Sequence, residues 1–430
     1  MNKITLEKKK RPVKIIQFGG GVFLRGFVDF FVQRANDAGV MDASIAIVRS
    51  RTTGVDPLSE QKFNYTHIAR DAENNDTLLI DSIVASVSAS EDFEAFLALA
   101  DNPDTEVIVS NTTEAGIVYT KCGMRSAEYG MRSDGVSTFP SRLCALLYRR
   151  FSRGLSPMLI VPCELIENNG DTLKKIVYQH ARDWELEGEF FEFLDKCSFR
   201  NTLVDRIVSG KPTEKIDLGY EDSCVNTSEY FHLFVIEGER DERFPLDKIS
   251  ENIKFVKSVA PYRKIKVRIL NGAHTSMIPY ALLLGVQSVG ECLQNDILRT
   301  HLISCLEEII DSLDGDRAES VSYASDVIKR FSNPYIYHRC DAIVLNSVSK
   351  FKVRVLPSIL EYKQKMGTYP KNLVFSLAML IKLYKSDLAR DDISVVEFIK
   401  NNDINAILAS DALWGQDISF LSDEVKKYDN

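Results

Sequence analysis

The sequence predicts an α/β protein with an N-terminal Rossmann-like domain, built on a doubly wound parallel sheet, and a C-terminal all-α domain. Two observations lead to this prediction. In residues 1–257, short β-branched and apolar runs alternate with helical segments, an order typical of parallel sheets. In residues 258–430, apolar residues recur every three or four positions, as they do in helices. We therefore expect a domain boundary near residue 258.

The first half predicts its elements in alternating order. A buried strand at 13–19 leads into a helix at 23–39, which Gly39 ends, and a second strand follows at 43–50. Further apolar runs predict strands at 76–88, 105–113 and 157–166, with helices at 138–153 and 171–184. In the second half, the same reasoning predicts helices at 266–284, 297–313, 317–331, 372–386 and 395–410.

Composition excludes several classes of function. The 430 residues carry a formal net charge of −8, and the basic run at 8–11 is short, which argues against a nucleic-acid-binding surface. No apolar stretch approaches the ~18 residues needed to cross a bilayer, and the N-terminus lacks the apolar core of a signal peptide. We expect a cytoplasmic protein that binds neither nucleic acid nor membranes. The oligomeric state is left open, because apolar helical surface serves equally as core or interface.

The cysteines and histidines do not predict a metal site. The 8 cysteines are scattered without a CxxC pair, and the 6 histidines form no HExxH pattern. Dispersed cysteines of this kind usually behave as small buried hydrophobic residues. We therefore expect a protein without a metal.

The stretch FGGGVFLRGF, residues 18–27, predicts a cofactor-binding turn. It follows a predicted strand and opens a predicted helix, where a backbone rich in glycine can approach a pyrophosphate. Gly19 and Gly21 supply two glycines of a dinucleotide fingerprint, whereas Leu24 occupies the third position and Gly26 lies nearby. A tight turn would need the same glycines. The candidate cofactor-binding residues here and at neighbouring strand ends are Phe18, Gly19, Gly20, Gly21, Val22, Phe23, Arg25, Arg49, Asn111 and Thr112.

The end of the second strand leaves the choice of cofactor open. NAD-binding domains usually carry an acidic residue there, which binds the ribose hydroxyls, but this chain has VRSRTTG. Arg49 and Arg51 could face the 2′-phosphate of NADP, or could simply be solvated arginines after a strand. On this local chemistry alone, NADP is as plausible as NAD.

The stretch KVRILNGAHTS contains the candidate catalytic residues. On an α-helix, Asn271 would lie about 140° and His274 about 80° around the axis from Lys266, so that all three share one face. A lysine with a lowered pKa can act as general acid and base, and an asparagine amide can stabilise a developing oxyanion. His274 could orient the substrate. The alternative is a surface lysine, a helix-interrupting asparagine and a core histidine.

A second candidate lies after the strand at 157–166, in PCELIENNGD. Parallel sheets bind their ligands at the carboxyl ends of the strands, so Asn169 could supply another amide to the reacting oxygen. An ordinary turn asparagine is the alternative.

Six blocks, taken in order, resemble the polyol-specific long-chain dehydrogenases, the mannitol dehydrogenase family. The resemblance runs from about residue 12 to the C-terminal region, and its most specific element is the Lys-x4-Asn-x2-His pattern. The blocks are QFGGGVFLRGFVDF, VSNTTEAGIVY, PCELIENNGD, NTLVDRIVSG, KVRILNGAHTSMIP and RFSNPYIYH with LNSVSKFKVRVLPS.

The resemblance implies an NAD-linked hydride transfer without a metal. SNTTEAGI, PCELI and LNGAHTSM are most similar to the branch of the family that interconverts D-tagaturonate and D-altronate. It implies that Lys266 is the general acid and base and that Asn169 and Asn271 hold the oxyanion. It also implies that His274 positions the substrate and that Glu114 joins a proton path. The family favours NAD, although the arginines do not exclude NADP.

The matching blocks also suggest residues for a sugar-acid substrate. Asp205 resembles a substrate-site acid, although a helix N-cap would explain it too, and Arg206, His338, Arg339 and Lys350 are candidate partners for a carboxylate. For each of the four cations, a surface ion pair is the alternative. Two other activities remain open: a sister activity on D-fructuronate and D-mannonate, or one on mannitol and fructose. A dinucleotide-binding sensor without turnover is disfavoured by the acidic charge and by the Lys266, Asn271 and His274 face.

Overall fold

The computed structural model describes residues 8–49, 56–112, 116–122, 126–127, 130–131 and 136–428. The chain separates into two compact units, Met1–Val259 and Ala260–Asn430. Within the described ranges, no helix has the length and apolar character that crossing a bilayer requires.

A parallel sheet forms the centre of the first unit. Its strands lie in the order β10-β9-β6-β1-β2-β5, and each neighbouring pair runs parallel. This arrangement confirms the predicted Rossmann-like fold class. The strands are β1 (Val13–Phe18), β2 (Ser44–Arg49), β5 (Ile83–Ser88), β6 (Val107–Ser110), β9 (Leu159–Pro162) and β10 (Ser198–Phe199).

Alternating side chains of these strands build a core on each face of the sheet. Ile15 and Val107 pack on one face, whereas Ile16 and Ile108 pack on the other. Burial on both faces explains why the sequences of these strands are continuous apolar runs. The helices of this unit are α1 (Val22–Arg25), α2 (Val28–Asp37), α3 (Pro57–Glu60), α4 (Phe93–Ala98), α5 (Phe139–Ser152), α6 (Asn169–Asp183) and α7 (Gly188–Lys196).

Smaller sheets complete the first unit, and most of their strands were not predicted. One sheet has the order β12-β13-β3-β4, a second has the order β11-β14-β15, and β7 pairs with β8. These strands are β3 (Tyr65–Arg70), β4 (Asn75–Ile80), β7 (Ser126–Ala127), β8 (Gly130–Met131), β11 (Thr202–Asp205), β12 (Val208–Gly210), β13 (Asn226–Glu229), β14 (Leu233–Glu237) and β15 (Ile253–Val256). Short 3₁₀ turns lie at Leu99–Asp101 and Leu246–Lys248.

Two predicted elements of the first unit are each divided in the structure. The single helix expected at 23–39 is α1 followed by α2, because Phe27 adopts φ −130° and ψ −85° between them. The single strand expected at 76–88 is β4 followed by β5. β4 pairs with the antiparallel neighbour β3, whereas β5 joins the parallel sheet beside β2. Different long-range partners therefore divide a continuous apolar run.

The second unit is helical throughout its described residues, as predicted. Its α-helices are α8 (Ala260–Ile265), α9 (Gly272–Leu283), α10 (Val289–Gln294), α11 (Asp296–Ser312), α12 (Arg317–Phe331), α13 (Cys340–Ile343), α14 (Ser347–Arg354), α15 (Leu356–Met366), α16 (Lys371–Lys385), α17 (Ile393–Asn401), α18 (Ile404–Leu408), α19 (Asp411–Trp414) and α20 (Ser422–Lys426). A π-helical segment, Lys266–Asn271, joins α8 to α9, and a 3₁₀ turn lies at Ser419–Leu421. The helix predicted at 395–410 is divided into α17 and α18.

One apolar cluster forms the core of the second unit. Helix α9 lies at its centre, where Met277 and Ala281 pack with Leu302, Ile309 and residues of α16. Because α9 is buried on nearly every side, its position is set by packing against several helices.

Candidate active site

The glycine turn after β1 brings backbone close to backbone. Gly19 has φ +108°, a conformation that favours glycine, and its N–H donates to the carbonyl of Val48 at 3.0 Å. A Cβ at Gly19 would lie 2.8 Å from the backbone oxygen of Asn111. A Cβ at Gly21 would meet no atom of the described part of the chain within 4 Å. The backbone at Gly21 is therefore open to the approach of a ligand.

Gly26 takes part in close packing of the kind expected of the third fingerprint glycine. A Cβ there would lie 2.7 Å from Cγ1 of Val208 and 2.9 Å from Cε1 of His67. Nearby, the Asn226 side chain donates to the carbonyl of Val22 at 2.9 Å. The smaller sheet containing β3, β12 and β13 thus supports the one-turn helix α1.

The carboxyl ends of β6 and β9 meet beside the glycine turn, where they hold a buried carboxylate. The Asn111 N–H donates to Phe18 O at 3.1 Å, and its side chain donates to Cys163 O at 2.7 Å. Glu164 accepts hydrogen bonds from the Thr112 N–H at 2.9 Å and from the Ser110 hydroxyl at 3.0 Å. Burial raises the pKa of Glu164, and these donors oppose the rise.

Phe18, Val22 and Phe23 border the same turn. The Phe18 ring is buried 5.0 Å from that of Phe139, while the Phe23 ring stacks on Phe27 at 5.0 Å. Val22 is exposed, and Gly20 is half-buried. Among these residues, Val22 is the side chain that the turn presents to solvent.

Asn169, the second predicted oxyanion residue, lies in a network of hydrogen bonds within the first unit. It is fully buried at the start of α6, and its side-chain N–H group donates to the carbonyls of Pro162 and Glu164, both at 3.0 Å. Its Oδ1 accepts from the backbone N–H groups of Gly170 at 2.9 Å and Thr202 at 2.8 Å. The carboxamide is therefore occupied in joining β9, α6 and β11.

Arg206, a predicted carboxylate partner, contacts backbone carbonyls and an aromatic ring. The guanidinium is buried, and it donates to the carbonyls of Gly26 at 2.9 Å and Glu229 at 3.0 Å. It also lies 4.7 Å from the centre of the Phe30 ring. These contacts hold the buried Arg206 side chain within the first unit. Its neighbour Asp205 is buried at the end of β11.

Arg49, at the end of β2, lies between two acids. Its Nη2 is 3.6 Å from Glu91 Oε2, and its Nε is 3.9 Å from Asp56 Oδ2. Arg51 and Glu114 are outside the described residues. The surroundings of Arg49 are thus already anionic.

A buried acid lies beneath the glycine turn. Asp29 of α2 is fully buried, and the Tyr65 hydroxyl lies 3.3 Å from its Oδ2 and 2.7 Å from the carbonyl of Arg25. Burial raises the pKa of Asp29 to about 7, against the opposing charge of Arg25 and a hydrogen bond from Gln17. The Arg25 guanidinium lies over the Tyr65 ring and donates to Cys224 O at 3.2 Å.

In the second unit, Lys266 and Asn271 occupy the two ends of the π-helical segment. The N–H of Gly272 donates to the carbonyl of Val267, five residues earlier, in place of the usual four. A π turn stacks residue i+5 nearly above residue i, so it aligns Asn271 with Lys266 more closely than an α-helix would. Both side chains are half-buried. π turns are frequent at functional sites.

Arg268 anchors the π-helical segment from its other side. Its guanidinium is buried, donating to the Ser358 hydroxyl at 2.7 Å and to Glu361 Oε2 at 2.8 Å and Oε1 at 3.3 Å. Lys264 approaches the same carboxylate at 3.4 Å. A bidentate ion pair of this kind fixes the orientation of the Arg268 guanidinium as well as its distance from the carboxylate.

His274 and His338 lie close together. The His274 ring stacks on Phe331 with a centroid distance of 4.1 Å, and the His338 ring lies 5.9 Å away at 66°. His274 is buried, whereas His338 is half-buried. Burial and the positive charge of Arg330 lower the pKa of His338, which favours the neutral imidazole.

Lys350, on α14, donates to the carbonyl of Ile343 at 2.8 Å. Burial lowers its pKa, the charge of Arg354 lowers it further, and Asp391 opposes both. By contrast, Arg339 is exposed and pairs with Asp341.

Among the residues that the structure describes, no group of three or more His, Cys, Asp or Glu side chains is arranged to hold a metal.

Comparison with known protein families assigns both units. Residues 13–248 match the mannitol dehydrogenase Rossmann domain, and residues 258–427 match the mannitol dehydrogenase C-terminal domain. The chain belongs to the mannitol dehydrogenase family. It is accordingly a nicotinamide-linked dehydrogenase that acts on a CH–OH group.

Similar proteins of this mannitol dehydrogenase family include altronate oxidoreductases. The enzyme of Yersinia enterocolitica is 35% identical over 457 residues, which cover 97% of this chain and 93% of its own length. That of Escherichia coli is 38% identical over 408 residues, covering 90% and 83%. These matches confirm the resemblance inferred from the ordered blocks.

Solved structures with 20% identity share the fold of this mannitol dehydrogenase family member. Substrate-free D-sorbitol dehydrogenase aligns with a TM-score of 0.79 over 97% of this chain and 92% of its own. Mannitol 2-dehydrogenase of Pseudomonas fluorescens, in a ternary complex with NAD and D-mannitol, aligns with a TM-score of 0.72 over 100% and 92%.

Two residues of the site were missed by sequence reasoning, although each had a signal. Asp29 interrupts the apolar run FVDFFV, and Glu164 interrupts the end of a strand in PCELI. An acid within an apolar run must be buried with partners or mark a functional position, because an isolated buried charge is costly.

Proposed function

We propose that this enzyme interconverts D-tagaturonate and D-altronate with NAD as cofactor. The observation that carries the proposal is the similarity to altronate oxidoreductases over 90–97% of the chain. The arrangement of Lys266, Asn271 and His274 in the helical unit supports it, because it offers a proton donor and hydrogen-bond donors to a substrate oxygen.

The glycine turn suits a dinucleotide. Gly21 leaves open space where a side chain would stand, and Gly19 permits the tight path beside Asn111. Arg49 favours NAD over NADP, because a 2′-phosphate beside it would meet the carboxylates of Glu91 and Asp56. Phe18, Gly20, Val22, Phe23, Arg25 and Thr112 remain candidate contacts of the cofactor.

When bound, the nicotinamide supplies hydride to the keto carbon or accepts it in the reverse reaction. The Lys266 ammonium donates a proton to the oxygen during reduction, and the neutral amine takes it back during oxidation. Asn271 and His274 hold that oxygen by hydrogen bonds, which strengthen as negative charge develops. Glu114 remains the proposed link from Lys266 to solvent.

The rest of the substrate would contact a second group of residues. His338 lies beside His274, and Lys350 offers a half-buried cation. We assign both to the sugar-acid end of the substrate and Asp205 to a hydroxyl group.

Replacing Lys266 by alanine tests the catalytic assignment. We expect the turnover number to fall roughly 10²- to 10⁴-fold, since the variant lacks the proton donor. The Kd of NADH, measured by fluorescence titration, should stay nearly constant. Lys385→Ala, which removes an exposed lysine at the end of α16, is the matched control. Unchanged turnover in Lys266→Ala would exclude its role.

A substrate panel tests the specificity. Oxidation of the cofactor is followed at 340 nm with D-tagaturonate, D-fructuronate and D-fructose, each with NADH and NADPH. The highest kcat/KM is expected for D-tagaturonate with NADH. A clear preference for D-fructuronate or D-fructose would reassign the enzyme to a sister activity, and no turnover with any of them would favour a sensor.

A further inference from the structure

Arg354, the last residue of α14, lies against the start of α9. Its Nη1 is 3.4 Å from the Thr275 hydroxyl oxygen. That hydroxyl in turn donates to the backbone carbonyl of Asn271 at 2.9 Å. The carbonyl of Arg354 is also in close contact with Gly272, where a Cβ would lie 3.3 Å from it. The guanidinium therefore lies beside Thr275, one helical turn from Asn271.

The charge of Arg354 is not balanced by an acid. Three other arginines of the helical unit have carboxylate partners: Arg268 pairs with Glu361, Arg317 with Asp311 and Arg339 with Asp341. For Arg354, no carboxylate in the described ranges lies within the 4 Å that defines these pairs. Its recorded hydrogen bond is to a neutral hydroxyl.

A second cation strengthens the positive potential here. Lys350 is one turn earlier on α14. Burial lowers the pKa of its ammonium and the positive charge of Arg354 lowers it further, so the two cations interact. Burial lowers the pKa of Arg354 as well. A half-buried guanidinium pays a cost of desolvation, which an anionic ligand would offset.

We propose that Arg354 binds the carboxylate of the sugar-acid substrate and so selects acids over neutral sugars. This inference rests on the proposed function and adds the residue that recognises the carboxylate of the substrate. A guanidinium presents five N–H donors in a planar fork, which matches the two oxygens of a carboxylate. The Thr275 hydroxyl uses one donor at most, and the remaining donors suffice for a two-pronged bond.

The experiment compares Arg354→Gln and Arg354→Lys with the wild type on D-tagaturonate and on D-tagatose, the neutral ketose of the same carbon skeleton. We expect Arg354→Gln to raise KM for the acid and to lower its kcat/KM roughly 100-fold, as for a charged hydrogen-bond partner removed from a buried pair. Its kcat/KM for D-tagatose should stay within about threefold, since that sugar has no carboxylate to lose. Arg354→Lys should recover part of the loss.

A binding measurement separates recognition from chemistry. Calorimetric titration of D-altronate into the enzyme saturated with NADH forms a complex that cannot react. Arg354→Gln should raise the Kd of D-altronate roughly 100-fold, whereas the control Arg317→Gln, at an exposed arginine of the same unit, should not change it.

Two results would overturn the inference. If Arg354→Gln lowers activity on the acid and on the neutral ketose equally and leaves the Kd of D-altronate unchanged, Arg354 merely supports α9. If the wild type neither binds D-altronate nor reduces D-tagaturonate, the proposed function fails and the inference fails with it.

Discussion

At the residue scale, Gly19 combines a backbone angle and a contact that both exclude a side chain. With φ +108° and only 2.8 Å between a Cβ and the Asn111 oxygen, an alanine would strain the turn and push β6 away. We expect Gly19→Ala to cost about 1–3 kcal/mol of stability, measured by thermal unfolding without cofactor.

Gly21→Ala is the control for this substitution. Gly21 has φ −69°, and no atom in the residues that the structure describes lies within 4 Å of the added carbon, so the melting temperature of Gly21→Ala should remain close to that of the wild type. Equal melting temperatures for all three proteins would show that the turn tolerates a side chain at Gly19.

The asparagines show which residue roles the sequence could predict. Asn271 and Lys266 lie on one short segment, so their spacing alone indicated a common face. The contacts of Asn169 depend on Thr202, which lies 33 positions further along the chain. The Thr202 N–H donates to the Asn169 carboxamide oxygen, and the Asn169 amide donates to the Thr202 hydroxyl. No local pattern reveals such a partner. For Arg206, likewise, the contacts with Gly26 and Phe30 come from a distant helix and turn.

At the element scale, the Arg268–Glu361 pair determines how firmly the π-helical segment is held. Glu361→Gln would leave the buried Arg268 without its counter-charge, at a cost of about 2 kcal/mol, because Glu361 itself is partly exposed. We expect a lower midpoint in urea unfolding. We also expect a lower kcat with an unchanged Kd for NADH, since Lys266 and Asn271 would lose their fixed orientation.

A surface pair serves as the comparison. Asp311→Asn removes the partner of the exposed Arg317 and should cost less than about 1 kcal/mol, with no change in kcat. If Glu361→Gln behaves like Asp311→Asn in both stability and kcat, the buried pair does not hold the segment.

Elements were predictable where a local pattern decides them. The strands β1, β2, β6 and β9 are buried on both faces, so they are continuous apolar runs that no other element resembles. The division of 76–88 depends instead on which neighbour each half pairs with. The π turn is equally hidden, because the sequence at 266–271 has the apolar pattern of an ordinary helix.

At the scale of the whole molecule, Asp29 makes stability depend on pH. The folded pKa of about 7 lies above the ordinary value near 4. Between these values the folded state keeps its proton while the unfolded state loses it. Stability from this group is therefore fully present below about pH 4, falls as the pH rises to about 7, and is constant above it.

Asp29→Asn should remove this dependence. Relative to the variant, the wild type should lose roughly 3 kcal/mol of unfolding free energy between pH 4.5 and pH 7.5, measured by urea unfolding at several pH values. Asp42→Asn, at an exposed acid, should follow the wild-type curve. A constant difference between wild type and Asp29→Asn would show that the buried acid does not titrate in this range.

The fold class of the whole chain was predictable because each half repeats one order of elements: strands alternate with helices in the first half, and helix follows helix in the second. An error at a single boundary does not change that order. Long-range pairing determines the rest, including the smaller sheets of the first unit, in which β3 pairs with the distant strand β13.

The π-helical segment has a consequence in genetic terms. The segment corresponds to an ordinary helix that has gained one residue through the insertion of one codon. The extra residue is accommodated by a wider helical turn. Deleting the codon for Val267 would allow regular winding from Ala260 to Leu283, with the downstream helix undisturbed. Lys266 and Asn271 would then be four residues apart, about 40° around the axis of an α-helix, whereas the present five-residue spacing on an α-helix would give about 140°. The wider turn therefore lets the chain carry one more residue between the two side chains while it keeps them on a common face.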